Sequence, residues 1–183
     1  MVKVLFVCLG NICRSPMAEY ILKDIIKRNG LNEKIVVSSR GTSSEEEGND
    51  IYNYAKEKLQ KEGIPFSKHK AKKLKAEEYN IYDYIIGMDE KNIRDIIRII
   101  GKDENHKVYK LLDFTGEKRD ILDPWYTGNF TNAYNDIKKG CEAFIKYLNK
   151  EGILKNERWK VKLYKWNKKM LKEFTKLTPR KNK

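Results

Sequence analysis

Short apolar runs alternate with amphipathic helical segments along the first 150 residues of this chain. The apolar, β-branched runs are 2–7, 35–37, 84–86 and 108–112, and apolar residues recur at helical spacing over 16–28, 51–59, 93–100 and 134–148. Strands that alternate with helices form parallel sheets, because each helix returns the chain to the starting edge of the sheet. The pattern predicts an α/β domain with a doubly wound, four-stranded parallel sheet and helices on both faces.

The positive charge is concentrated near the C-terminus. Of the net charge of +13, residues 151–183 hold 12 Lys and Arg side chains against three acids, so residues 1–150 carry only +4. We therefore expect one domain over 1–150 and a basic extension over 151–183. In the extension, an apolar stripe at helical spacing predicts an extra C-terminal amphipathic helix. The stripe consists of Trp159, Leu163, Trp166, Met170, Phe174 and Leu177.

Three roles are open for this basic helix. It can pack its stripe on the domain, or residues 155–183 can bind an anionic membrane surface or an acidic partner; nucleic-acid binding is the least favoured and is not expected. Liposome flotation with and without residues 155–183 distinguishes the first two. Loss of solubility on truncation, without lipid binding by the intact chain, indicates packing.

The sequence indicates a reducing compartment. The apolar run at residues 4–9 is too short for a signal-peptide core or a membrane span, so we expect a cytoplasmic protein. Three cysteines is an odd count and favours free thiols. The two histidines lie outside any Cys/His/Asp cluster, so no metal site is expected.

The segment between the first strand and the first helix reads CLGNICRS, residues 8–15. The five residues between Cys8 and Arg14 can form a loop that wraps one tetrahedral oxyanion with its amides, the helix N-terminus and the guanidinium. Gly10 and Asn11 are expected to supply left-handed backbone conformations. Ser15 is expected to cap the helix and to donate a hydrogen bond to the Cys8 sulfur.

The same positive field favours the thiolate form of Cys8. A thiolate below a bound phosphoryl group can attack in line and give a phosphocysteine, which water then hydrolyses. The leaving oxygen needs a proton, and Asp123 is the candidate donor because LDPWYTGNF follows the fourth strand at the same edge of the sheet. Trp125 and Tyr126 offer an aromatic wall for a substrate ring.

With these residues, the chain resembles the low-molecular-weight protein tyrosine phosphatases. The matching stretches are VLFVCLGNICRSPMAE near the N-terminus, SKHKAKKL at 67–74, YDYIIGMDEKN at 82–92 and DPWYTGNF at 123–130. The resemblance implies a flavodoxin-like strand order, phosphotyrosyl proteins as substrates, no metal and no cofactor. It makes Cys8 the nucleophile, Arg14 the phosphate clamp and Asp123 the general acid. The implied phosphate-binding loop comprises Leu9, Gly10, Asn11, Ile12, Cys13 and Ser15.

Four further residues can be interpreted, partly from the resemblance and partly from their own positions in the sequence. Cys13 is either a small loop residue or, as the resemblance implies, the partner of Cys8 in a reversible disulfide formed under peroxide. His69 and Asp89 look like supports of the catalytic loop, although each alone reads as an ordinary surface polar residue. Cys141 falls on the apolar face of the last helix and is expected in the core.

The residue at position 12, here Ile12, distinguishes between the activities found in related enzymes. Protein arginine phosphatases of this family carry threonine at that position, so an aliphatic residue favours a tyrosine phosphatase. Related arsenate reductases need a further downstream cysteine pair, whereas only Cys141 remains here. A module that binds phosphoproteins without turnover is the alternative from another class. The presence of Cys8, Arg14 and Asp123 argues against it.

The loop after the second strand, SSRGTSSEEEGND, departs from the family pattern. The family usually has an aromatic residue there that walls the cleft, and Glu45 falls near that position. We therefore expect an acidic wall and a preference for phosphotyrosyl peptides with basic flanks.

Overall fold

The computed structural model describes residues 1–154. Within them, four strands alternate with five helices, and two short 3₁₀ helices cover Ala76–Asn80 and Leu111–Thr115. The strands are β1 (Val2–Cys8), β2 (Ile35–Gly41), β3 (Tyr84–Gly87) and β4 (Val108–Lys110). The helices are α1 (Arg14–Asn29), α2 (Asn53–Lys61), α3 (Glu90–Ile100), α4 (Pro124–Thr127) and α5 (Phe130–Lys150).

The four strands form one parallel sheet in the order β2-β1-β3-β4. The winding reverses at β1, because the chain first crosses to β2 on one side and then to β3 on the other. Cys8, the last residue of β1, is paired with Gly41 at the end of β2. The predicted doubly wound sheet with flavodoxin-like order is confirmed, and Cys8 lies at the switch point where such sheets bind ligands.

Helices cover both faces of the sheet, as predicted. The side chains of β1 alternate: Val4 and Phe6 join the core formed with α1 and α5, and Leu5 and Val7 join the core that includes Ile96 of α3. All these side chains are fully buried. Because β1 is covered on both faces, it reads as a continuous apolar run rather than an alternating one.

Several element boundaries differ from those predicted. Helix α1 begins at Arg14, so Ser15 lies inside the first turn and is not the N-cap; its hydroxyl is instead directed at the Cys8 sulfur. Strand β4 ends at Lys110, because the next residues form a 3₁₀ helix. The segment that follows β4 contains the short helix α4, for which the sequence pattern predicted no helix. Cys141 is fully buried in the core, as expected.

The C-terminal extension is described only to Leu154. That residue is buried, and its carbonyl accepts a hydrogen bond from Lys34 Nζ at 2.7 Å. The amphipathic helix and apolar stripe predicted beyond it lie outside the described residues, and the domain boundary after residue 150 stays a prediction. Through residue 154, no helix has the length and apolar character needed to cross a membrane.

Candidate active site

A cavity of about 180 Å³ opens at the end of β1, where the chain turns into α1. Four loop residues line it together with Cys8 and Arg14, namely Leu9, Gly10, Ile12 and Cys13. The remaining walls come from two loops that follow β2 and β4. These residues are Glu45 and Glu46 after β2, and Asp123, Trp125 and Tyr126 after β4.

The backbone carbonyls and the backbone amides of this loop differ in their hydrogen bonding. Four of its carbonyls, those of Cys8, Leu9, Asn11 and Ile12, each accept a hydrogen bond of 2.9 Å from the surrounding protein. The amides of residues 9–13, by contrast, donate to no group among residues 1–154. Leu9 and Gly10 are half-buried and Asn11, Ile12 and Cys13 are buried. Successive unpaired amides in one turn can form a nest for an anion.

Asn11 holds the turn in a left-handed conformation, with a φ of 58°. Its side chain is fully buried: Nδ2 donates to the hydroxyls of Ser15 and Ser39, each at 2.9 Å, and Oδ1 accepts from the amide of Lys72 at 3.0 Å. A left-handed conformation is costly for a residue with a side chain unless its surroundings fix it. These three hydrogen bonds fix it here.

Gly10 does not adopt the left-handed conformation that was predicted for it. A glycine is needed there for a different reason. A Cβ atom on Gly10 would lie 3.0 Å from Cγ of Glu46, which packs against the loop. The position is therefore set by the close approach of the loop that follows β2.

Cys8 Sγ lies 3.1 Å from the hydroxyl oxygen of Ser15. Asn11 donates to that oxygen, so the Ser15 proton is directed away from Asn11, either to the sulfur or to the carbonyl of Arg40 at 3.2 Å. Ser15 can therefore donate to a Cys8 thiolate and accept from a Cys8 thiol. This contact agrees with the role expected for Ser15.

Arg14 is a buried cation held between two carboxylates. Its Nη1 donates to Asp89 Oδ2 at 2.5 Å and to the carbonyl of Ile121 at 3.0 Å, and its Nη2 donates to Asp123 Oδ2 at 2.5 Å. Burial lowers the pKa of Arg14, whereas the nearby Cys8, Asp123 and Asp89 together raise it by a larger amount. The net shift is upward, so the guanidinium stays charged. Its Nε is buried without a partner in the described chain.

Asp123 and Asp89 are placed by helix capping. Asp123 Oδ1 accepts from the amide of Trp125 at the start of α4, and Asp89 Oδ1 accepts from the amide of Asn92 at the start of α3. Each carboxylate uses its other oxygen to bind Arg14. The structure thus brings both aspartates into direct contact with the Arg14 guanidinium.

His69 supports the loop from below. Its Nε2 donates to the carbonyl of Asn11 at 2.9 Å, and its own amide donates to Asp50 Oδ1 at 3.0 Å. It is largely buried rather than being an ordinary surface residue. Its contact with the loop matches the supporting position that was expected.

Cys13 and Cys141 are both buried free thiols, as is Cys8. Burial raises the pKa of Cys13, and the negative charges of Cys8 and Asp123 raise it further. Burial also raises the pKa of Cys141. Both groups are therefore protonated at neutral pH.

Sequence reasoning missed several residues that build the site. Ser39 and the carbonyl of Ile121 contact Asn11 and Arg14 through the tertiary fold, and no local motif marks them. Lys110 was also missed. Its buried Nζ contacts Glu90 Oε1 at 2.7 Å, Asp120 Oδ1 at 3.1 Å and the carbonyl of Lys118 at 2.9 Å.

Glu46 was missed beside Glu45, although it lines the same cavity. The run of three glutamates after β2 was a signal that could have located it. Trp125 and Tyr126 also line the cavity and are both exposed. The ring centroid of Trp125 lies 5.0 Å from that of Tyr52, which supports it from behind.

The site consists of an amide nest at the end of the first parallel strand, with a cysteine and a buried arginine beside it. This combination is typical of α/β proteins that bind phosphate next to a cysteine. The model of the low molecular weight phosphotyrosine protein phosphatase family matches residues 3–154. The chain belongs to that family, whose members are hydrolases.

Relatives and solved structures agree with this assignment. The low molecular weight protein-tyrosine-phosphatase YfkJ of Bacillus subtilis is 40% identical over 153 residues, which cover 82% of this chain and 98% of YfkJ. PtpA of Staphylococcus aureus (strain bovine RF122 / ET3-1) is 39% identical over 156 residues, or 85% and 99% of the two chains.

The crystal structure of YfkJ matches with a TM-score of 0.80 over 82% of this chain and 96% of that chain. A Drosophila arginine phosphatase matches with a TM-score of 0.73 at 31% identity, over 80% and 97%.

The differences between the three cysteines predict the order of alkylation. A raised pKa keeps Cys13 and Cys141 protonated at neutral pH, whereas Cys8 faces the open cavity and the unpaired amides. Iodoacetamide at neutral pH should therefore modify Cys8 first, and inorganic phosphate should slow that reaction. Fragmentation mass spectrometry locates the label, and Cys8→Ser should remove the fast phase. Equal labelling of Cys13 and Cys8 would contradict the expectation.

Proposed function

We propose that this protein hydrolyses phosphotyrosine in proteins through a phosphocysteine intermediate. The observation that carries the proposal is the one-sided hydrogen bonding of the loop between β1 and α1. Its carbonyls are hydrogen-bonded to the protein, whereas its amides and Arg14 Nε, at the same cavity as the Cys8 sulfur, find no partner within residues 1–154. Such a site matches the three non-bridging oxygens of a phosphoryl group.

In the first step, the Cys8 thiolate attacks phosphorus in line with the leaving phenolic oxygen. The S–P bond forms as the P–O bond breaks, and Asp123 donates a proton to the departing tyrosine oxygen. The amides of residues 9–13 and the Arg14 guanidinium bind the equatorial oxygens. Ser15 donates to the sulfur and holds it in its anionic form.

Substrate binding has to change the hydrogen bonds of the Arg14 guanidinium. Its Nη2 is bound to Asp123 and its Nε is unpaired, so an arriving phosphate can accept from both nitrogens and replace the Asp123 carboxyl. Asp89 keeps Nη1 in place during this exchange. Asp123 is then free to face the leaving oxygen.

In the second step, a water molecule attacks phosphorus from the position that tyrosine has left. The Asp123 carboxylate, which lost its proton in the first step, takes a proton from this water. The S–P bond breaks, and inorganic phosphate and the Cys8 thiolate are released. One carboxyl group thus serves both steps.

The walls of the cavity favour an aryl phosphate. Trp125 and Tyr126 present exposed rings, and aromatic pairs stack with favourable geometry. Ile12 adds an apolar surface at the cavity and is packed in a small cluster with Cys13 and Ala71. Phosphoarginine remains the alternative substrate, because an arginine phosphatase shares the fold and carboxylates line this cavity.

Phosphate release from two peptides of identical sequence, one with phosphotyrosine and one with phosphoarginine, tests the substrate class. We expect turnover of the tyrosyl peptide that vanishes in Cys8→Ser, because the serine hydroxyl is a far weaker nucleophile. Faster release from the arginyl peptide would contradict the proposal. Phosphorylated Cys8 that accumulates without phosphate release would support a binding module instead.

Lys110 is expected to position the proton donor. It ties Asp120 and the carbonyl of Lys118 to Glu90 at the start of α3, and so fixes the segment that leads to Asp123. Lys110→Met should lower kcat/KM about tenfold for phenyl phosphate, within the range for general acid catalysis. The loss should be smaller for p-nitrophenyl phosphate, whose leaving group needs less protonation.

A matched control for Lys110→Met is Lys118→Met, because the Lys118 side chain is exposed and only its carbonyl contacts Lys110. This variant should retain wild-type rates on both substrates. Equal losses on the two substrates in Lys110→Met would show a general structural effect, and Lys110 would then have no specific link to the proton donor.

Other expectations from the sequence remain predictions. A reversible Cys8–Cys13 disulfide requires Cys13 to react although burial keeps it protonated. A cytoplasmic location and the binding of a membrane or acidic partner by residues 155–183 also stay predictions.

A further inference from the structure

We propose that Glu45 and Glu46, here called the acidic rim, select phosphotyrosyl segments with lysine or arginine beside the phosphotyrosine. This inference rests on the proposed function and adds a substrate preference to it. Both glutamates line the same cavity as Cys8, Asp123 and the aromatic wall.

The loop that carries the rim is held against the catalytic loop. The amide of Ser43 donates to the carbonyl of Leu9 at 2.9 Å, and the amide of Gly48 donates to the carbonyl of Ala71 at 2.8 Å. Glu46 packs its stem against Gly10, and its Oε2 accepts from Asn49 Nδ2 at 2.7 Å. The rim therefore has a fixed position relative to a bound phosphoryl group.

The charge of the rim is not neutralised by neighbouring side chains. Neither glutamate forms an ion pair with any lysine or arginine between residues 1 and 154. Asp50, a few residues further on, does pair with Lys56 at 2.9 Å. A cationic side chain of a substrate can therefore approach the rim without displacing a cation that belongs to residues 1–154.

The rim and the net charge of the protein predict opposite preferences. A chain of net charge +13 attracts acidic molecules at long range, and this effect is screened over about 10 Å at 0.1 M salt. The rim acts within contact distance of residues that flank the phosphotyrosine. There it attracts lysine and arginine and repels glutamate, so a preference for basic flanks cannot come from net charge.

Three phosphotyrosyl peptides that differ only in their flanking residues, with lysine, glutamine or glutamate on both sides, test the proposal. The wild type should show kcat/KM about three- to tenfold higher for the lysine peptide than for the glutamate peptide, as expected for exposed charge pairs. The double variant Glu45→Gln/Glu46→Gln should remove most of this difference. The quantity compared is the ratio of the two kcat/KM values, which a uniform change in the rate of the variant leaves unaltered.

Glu47→Gln is the matched control, because Glu47 is an exposed acid of the same loop that does not line the cavity. It removes one negative charge and should keep the full preference. Equal rates of the wild type on the three peptides would overturn the proposal, and so would a preference that persists in the double variant. Failure to hydrolyse any of the peptides would instead overturn the proposed function, so the two failures are distinguishable.

Discussion

The buried side-chain amide of Asn11 is the interaction on which the rest of the site depends. It holds a left-handed turn at the end of β1 through bonds to Ser15, Ser39 and the backbone of Lys72. Since the turn is fixed, the loop carbonyls bind the surrounding protein, and the amides of residues 9–13 are left without partners in the part of the chain that the structure describes. The same amide donates to the Ser15 hydroxyl oxygen, which lies 3.1 Å from the Cys8 sulfur. One polar side chain thus sets both the oxyanion site and the support of the nucleophile.

The charges of the site are arranged around a cation that is removed from water. Isolated buried charges are costly, and Arg14 is stabilised by Asp89, Asp123 and the neighbouring Cys8. These contacts hold the guanidinium in place but leave its Nε without a hydrogen-bond partner among the first 154 residues. A phosphoryl group can complete its hydrogen bonds and release the Asp123 carboxyl for proton transfer. Binding of the substrate and preparation of the acid are then the same event.

The sequence predicted the parts of the fold that are encoded locally. The alternation of strands and helices defined the sheet, and CLGNICRS located Cys8, Arg14 and Ser15 at its switch point. The prediction was wrong for the Ser15 cap and the Gly10 conformation, because tertiary contacts with Cys8 and Glu46 determine these residues. Lys110 and Ser39 could not be predicted, since their roles come from partners that are distant in the chain or lie on other elements.

Trapping of the phosphorylated enzyme tests the central claim most directly. Asp123→Asn keeps the nucleophile but lacks the carboxylate that activates water, and p-nitrophenyl phosphate supplies a leaving group that needs little protonation. Mixing the two and quenching within the first turnover should give a burst of about one p-nitrophenol per enzyme, with a phosphoryl group on Cys8 located by mass spectrometry. Steady release of p-nitrophenol without a burst, or phosphate on a residue other than Cys8, would contradict the account.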